Sequence, residues 1–439
     1  MVAIQYRPSG RSAKEISDDV ESAIHSGALA PGAALPSVRG LAGELRVAPG
    51  TVATAYKLLR DRGMVESRGR AGTYVRPRPE PITRSSVAPI ETDVVDLASG
   101  QPDPALLPAL PAPPVAGVAA APASFVLPAL LALGRERLAA DGVNAEALTL
   151  ASGGLDGIHR VLSAQLRPGD IVAIEDPGWP NALDLIAALG MRPYPLPVDE
   201  EGPLGEPMAM ALRAGARAVI VTSRAHNPTG TYLTRQRAGE LRAVLAPYPQ
   251  TVLIEDDHAA ELADVELSSL AGATASWAFI RSASKPYGPD LRLALIAGDQ
   301  GTIARVDARL RVGSGWVSTV LQHLVVQLWT SPDTTSALQR AARAYDERRQ
   351  GLIAQLARRG ITARGRTGLN VWVPVTDETA VVSSLLQARW AVAPGARFRQ
   401  ASGPGVRITV SELNEANIPR LADDLAAAMK TPPQSSYTA

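Results

Sequence analysis

From about residue 93 onward the chain keeps one rhythm: short apolar runs alternate with stretches of helical periodicity. The runs are Ile171–Glu175, Ala218–Thr222, Val252–Glu255, Ala278–Arg281 and Leu293–Ala297; residues 154–166, 181–190 and 234–246 carry the helical patterns. Runs this short are strand length, and their alternation with helices predicts an α/β domain with a mostly parallel sheet covered by helices. That architecture also says where chemistry belongs. Ligands of such sheets bind beyond the carboxyl ends of the strands, so the residues just after each run are the candidates.

The first 76 residues follow another pattern. Ala13, Ile16, Val20, Ala23 and Ile24 fall at helical spacing over 13–25, and Gly27 with Pro31-Gly32 ends that helix. Ser37 caps a second helix, Val38 to Leu45. A third runs from Thr51 to about Arg62, with Val52, Ala55, Tyr56 and Leu59 inward and Thr51, Thr54 and Lys57 on the opposite side; Gly63 closes it. Met64-Val-Glu-Ser67 and Thr73-Tyr-Val-Arg76 read as two strands around a basic turn, Arg68 to Gly72. Helix, helix, turn, helix and β-ribbon is the winged helix-turn-helix order. In it the last helix enters the major groove of duplex DNA and the wing follows the backbone or minor groove. Charge agrees: residues 1–78 carry 12 Lys and Arg against 7 Asp and Glu, the remainder 32 against 36. Arg39, Thr51, Thr54, Lys57, Arg68 and Arg70 are the expected DNA contacts.

A chain of 439 residues is long enough for two or three domains. Residues 1–76 form the DNA-binding domain and 93–430 the α/β domain. Between them, 77–92 is rich in Pro and small polar residues and reads as a linker of at most ~50 Å. Residues 431–439 read as a disordered tail. Cysteine is absent, which excludes disulfides and cysteine metal sites, and five scattered histidines argue against structural zinc. No apolar run reaches the roughly 18 residues that span a bilayer, and Met1–Arg7 lacks a signal-peptide core. A soluble cytoplasmic protein without a membrane partner is expected.

The strand ends of the α/β domain carry a coherent set. Ser152-Gly153-Gly154 opens a helix and offers backbone N–H groups to a phosphate. Asp176-Pro-Gly-Trp-Pro-Asn181 places Trp179 to stack on a ring. His226-Asn-Pro-Thr-Gly230 presents Asn227, and Glu255-Asp-Asp-His258 presents Asp256. Ser282-Ala-Ser-Lys285 follows the run Trp277–Arg281, with Arg292 seven residues later; Gly405-Val-Arg-Ile408 offers Arg407. Singly, each is an ordinary turn, cap or ion pair. Together they supply what pyridoxal 5'-phosphate needs: a lysine for a Schiff base, a carboxylate for the pyridinium nitrogen, a stacking ring, and a phosphate cradle of N–H groups, the Ser282 and Ser284 hydroxyls and an arginine. Arg407 suits a substrate or effector carboxylate.

Leu35-Pro-Ser-Val-Arg39, Gly50-Thr-Val52, Gly63-Met-Val-Glu66 and Gly69-Arg-Ala-Gly-Thr-Tyr-Val75 closely resemble the GntR-type DNA reader. Residues 93–430 resemble a fold-type I aminotransferase, and the two halves together resemble the MocR branch of GntR regulators. The resemblance implies that Lys285, Asp256, Asn227, Trp179, Ser282 and Arg292 bind the cofactor and that Arg407 binds an α-carboxylate. It also implies a homodimer and an amine, an amino acid or the cofactor itself as effector. The alternative it leaves open is an active aminotransferase carrying a DNA-binding domain. Three departures stand out. Ala48-Pro49-Gly50 lacks the base-reading arginine usual in GntR readers. His258 replaces a tyrosine near the cofactor's ring oxygen. Phe125 stands about where a tyrosine reaches the partner subunit's phosphate.

Overall fold

The structure, a computed structural model, describes residues 6–67, 69, 72–76, 93–112 and 126–430. The linker, the tail, Arg68, Arg70 and Phe125 lie outside those residues. The chain divides into two compact units.

The N-terminal unit is built from α1 (Ala13–Ser26), α2 (Val38–Leu45), α3 (Pro49–Asp61) and a two-stranded ribbon, β1 (Val65–Ser67) with β2 (Thr73–Val75). Its boundaries have local causes. The Ser12 and Ser37 hydroxyls accept from the N–H groups of Glu15 and Gly40, capping α1 and α2. Gly27, at φ 80°, takes the left-handed turn that ends α1. α3 begins two residues before the expected Thr51 because Pro49 suits the first helical turn, where a missing N–H has no cost. Ile16, Val20, Leu41, Val52, Ala55, Leu59, Val65 and Val75 are fully buried in one core. The Tyr56 hydroxyl donates to the Pro36 carbonyl at 2.8 Å, tying α3 to the start of α2.

The larger unit holds two sheets. The first has eight strands in the order β4-β11-β10-β9-β8-β5-β6-β7. These are β4 (Ala147–Ala151), β5 (Ile171–Asp176), β6 (Arg192–Asp199), β7 (Gly202–Pro203), β8 (Ala216–Thr222), β9 (Val252–Asp257), β10 (Ser276–Ser282) and β11 (Ala294–Gly298). From β10 across to β6 the pairing is parallel; β11 and β7 run antiparallel to their neighbours. The second sheet, β12-β14-β13-β3, joins Val95–Leu97 (β3) to Asn370–Pro374 (β12), Trp390–Pro394 (β13) and Gly405–Thr409 (β14). Helices cover the first sheet. One of them, α5 (Gly154–Gln165), follows α4 (Pro128–Ala140) and β4 and lies close on the sheet at Gly157. A Cβ there would stand 3.3 Å from Ile280 and Ile296.

Candidate functional site

The parallel strands β5, β8, β9 and β10 end at one cavity of about 480 Å³, and β14 and the segment after β3 close it from the second sheet. Trp179, Asn227, Asp256, His258, Ser282, Ser284, Lys285, Arg292, Gly154 and Arg407 all line it. Ser152 and Gly153 stand just behind the lining. Arg292 donates to the Ser152 carbonyl at 3.3 Å and to Ser284 Oγ at 3.1 Å. Gly153 must be glycine: its φ is +102°, and a Cβ would meet the Arg292 guanidinium at 2.5 Å. With no side-chain cap at Gly153, the first turn of α5 presents backbone N–H groups beside Arg292, an arrangement suited to an anion.

Asp256 and Asp257 share β9 and, by its two-residue alternation, face opposite ways. Asp257 is fully buried between Arg224 and Arg281. Burial alone would raise its carboxyl, but Arg281 and Arg224 hold it below the usual range. Asp256 turns into the cavity. Its Oδ2 stands 3.1 Å from His258 Nδ1, while its Oδ1 is buried with no hydrogen-bond partner. A buried carboxylate oxygen without a donor is costly. A pyridinium N–H would supply that donor, and on this observation the residues fit pyridoxal phosphate.

Lys285 is the second residue of the one-turn helix Ser284–Tyr287 that follows β10. Its Nζ donates to the Gly100 carbonyl at 2.5 Å and to Gln101 Oε1 at 3.0 Å. Burial, then Arg407, then Arg292 push its amine down to about 8. Arg407 lies 4.9 Å from the Phe398 ring centroid, donates to Asn227 Oδ1 at 3.1 Å and to the Ala98 carbonyl, and keeps Nε buried without a partner. Burial and then Arg397 push it down to about 9, so it stays cationic at neutral pH.

Several cavity residues escaped the sequence reading: Ser99, Gly100, Gln101, Asn181, Asn370, Arg397 and Phe398. Gln101 sits four residues beyond β3, a strand too short to show a period. Arg397 and Phe398 lie in the turn after β13, where the only signal was closeness to Arg407. Asp176 was read only as part of a turn. Its carboxylate accepts the N–H groups of Gln400, Ala401 and Ser402, each at 2.8 Å, and so holds the loop after Phe398.

On the N-terminal unit, Arg39, Thr54 and Lys57 are exposed and Thr51 is half-buried. The Thr54 hydroxyl donates to the Gly50 carbonyl at 2.9 Å, leaving it only acceptor capacity toward a base.

Fold and site together define a pyridoxal-phosphate-dependent transferase domain carried behind a winged helix-turn-helix. Residues 92–425 match the family of class I and II aminotransferases, and residues 12–75 match the bacterial regulatory proteins of the gntR family. The vitamin B6 salvage pathway transcriptional repressor PtsJ of Salmonella typhimurium is 40% identical over 427 residues, covering 96% of this chain and 99% of that one. The pyridoxine biosynthesis transcriptional regulator PdxR of Corynebacterium glutamicum is 28% identical over 262 residues, 56% of each chain. Among solved structures, the kynurenine aminotransferase of Pyrococcus horikoshii superposes with a TM-score of 0.70 at 18% identity, covering 77% of this chain and 91% of that one, a likeness of fold. The chain belongs to the MocR-type transcription regulators, GntR-type DNA-binding proteins with an aminotransferase-like domain. Among the described residues no helix is long and apolar enough to cross a membrane.

Proposed function

We propose that this regulator is switched by what occupies the Lys285 cavity: an amine or amino-acid effector, or pyridoxal phosphate itself. The unpartnered Asp256 Oδ1, in one cavity with Lys285 and Arg292, carries this reading. The names of PtsJ and PdxR tie both relatives to vitamin B6 and support it.

When bound, the cofactor supplies an electrophilic carbon and an electron-withdrawing ring. The chain's own residues do the rest. Arg292, Ser282, Ser284, Ser152 and the first turn of α5, Gly153-Gly154, hold the phosphate. Asp256 would hold a proton on the ring nitrogen, and His258 steadies Asp256. Trp179 would stack on the ring, and Asn227, its oxygen held by Arg407, would offer its amide N–H groups to the ring hydroxyl. Lys285, whose Nζ rests on Gly100 and Gln101, would be the residue that holds the cofactor covalently. Arg407, which lines the cavity with its Nε still unpartnered, would take an effector carboxylate. On the DNA side, Arg39, Lys57, Thr51 and Thr54 meet base edges, and Arg68 and Arg70 meet the backbone. The protein acts in the cytoplasm as a homodimer.

Borohydride reduction of the cofactor-loaded full chain, followed by peptide mapping, tests the site. Cofactor mass on the peptide containing Lys285 is expected, with none in Lys285→Ala. Label on another lysine, or none in the wild type, would refute the assignment.

A further inference from the structure

Lys285 stands on a single helical turn. The helix Ser284–Tyr287 has four residues, too few to hold its own orientation by backbone hydrogen bonds. Side chains at its two ends hold it instead. At the first residue, the Ser284 hydroxyl donates to the Leu291 carbonyl at 3.1 Å. At the last, Tyr287 is 2% exposed and its hydroxyl donates to Glu261 Oε1 at 2.9 Å. Lys285 lies between these anchors.

Glu261 is itself held. It lies in the short turn Ala260–Leu262 after β9, and the Arg137 guanidinium of α4 donates to the same oxygen at 2.7 Å and reaches the Tyr287 hydroxyl at 3.5 Å. The guanidinium carbon of Arg137 stands 5.1 Å from the centroid of the Trp329 ring, in the helix Thr319–Thr330. Burial, and then the Glu261 carboxylate, raise the Tyr287 phenol above its ordinary value. The proton therefore stays on the tyrosine, which makes it the donor at neutral pH. A bond to an ionised acceptor is stronger than one between neutral groups. This one fastens the end of the turn to α4 and to the segment after β9, and with it the backbone from which Lys285 reaches the cavity. Tyr287, Glu261 and Arg137 stand outside the cavity lining, so they act on its occupant only through Lys285.

We propose that Tyr287 is a positioning residue: through Glu261 and Arg137 it sets where the Lys285 amine stands, and so how fast that amine captures the cofactor, without setting how tightly the cofactor is first held. This rests on the reading that Lys285 is the residue that bonds the cofactor.

Capture of pyridoxal phosphate by the full chain freed of cofactor tests it. Stopped-flow absorbance over a range of concentrations gives a limiting rate and a half-saturating concentration. Tyr287→Phe keeps the ring and removes the hydroxyl. It is expected to lower the limiting rate about tenfold or more, the scale of a small misplacement of a reacting group, and to leave the half-saturating concentration unchanged. Glu261→Gln, which keeps an acceptor oxygen, is expected to show the same split with a smaller loss. The double variant is expected to be no slower than Tyr287→Phe, since both changes act through one bond. Equilibrium binding of pyridoxine 5'-phosphate, which has no aldehyde to react, is expected to be the same in all of them. An unchanged limiting rate in Tyr287→Phe, losses that multiply in the double variant, or a loss of rate matched by an equal loss of pyridoxine 5'-phosphate binding would overturn the proposal alone. Capture that persists in Lys285→Ala would overturn it together with the reading beneath it.

Discussion

Asp256 and Asp257 are neighbours in sequence with opposite surroundings, and substitution separates them. Asp256→Asn removes the negative charge facing the cavity while leaving the arginine cluster intact. Cofactor affinity is expected to fall about tenfold or more in equilibrium titration, with the melting temperature little changed, since hydrogen bonds to charged groups are worth roughly 1.5–3 kcal/mol. Asp257→Asn removes the fully buried carboxylate between Arg224 and Arg281 and leaves only the partly exposed Asp141 to balance them. Breaking such a pair costs about 3–5 kcal/mol, so this variant is expected to lose stability in denaturant titration. The reverse ranking would place the site on the wrong carboxylate. Lys285 gives a test by pH. An amine attacks a carbonyl only as the free base. Burial, Arg407 and Arg292 bring its amine down to about 8. The rate of cofactor capture is therefore expected to rise as pH increases toward 8 and to level off above it, followed by stopped-flow absorbance. An ordinary lysine would keep gaining rate to about pH 10.4. Arg407→Gln, which removes a cationic neighbour, is expected to move that midpoint upward.

Among the elements, α3 is the one proposed to read DNA. Its buried face, Val52, Ala55, Tyr56 and Leu59, packs on α1 and α2 and leaves Lys57 outward. Lys57→Ala is expected to cost about 1–3 kcal/mol of specific binding and to relax sequence preference, as for a base contact. Unchanged discrimination between specific and unrelated duplexes would remove it from the base contacts. Ser37→Ala removes the α2 cap and is expected to cost about 1 kcal/mol in thermal unfolding. The helices of this unit were legible because caps, period and stop residues all act locally. The strand ends of the large sheet were legible because each motif is contiguous and follows its own apolar run. β6 was not. Its prolines, Pro193, Pro195 and Pro197, argue against a strand. Arg192 nevertheless donates to the Asp170 carbonyl at 2.9 Å; by the two-residue period the prolines then fall on the other side, where no donor to β5 is needed. The second sheet was hidden for another reason. β3 pairs with β13, nearly three hundred residues later, and no local pattern records such a pairing. Gln101 and Arg397 entered the site with those strands.

At the scale of the whole molecule, a DNA reader and a cofactor cavity on one chain make sense only if they are coupled. Coupling between two sites is reciprocal, and about 1–3 kcal/mol changes an affinity by some 5–150-fold. An occupant of the cavity needs only that much differential affinity between the DNA-competent and DNA-incompetent states. The most direct measurement is the affinity of the full chain for duplex DNA flanking its own gene, by fluorescence anisotropy. It is made without cofactor, with pyridoxal phosphate, and with pyridoxal phosphate plus an amine, while amino-group transfer is followed in the same samples. The account predicts at least a fivefold change in DNA affinity on adding one of these ligands, lost in Lys285→Ala, with little or no turnover. Rapid, repeated amino-group transfer with DNA affinity unmoved by every ligand would contradict it.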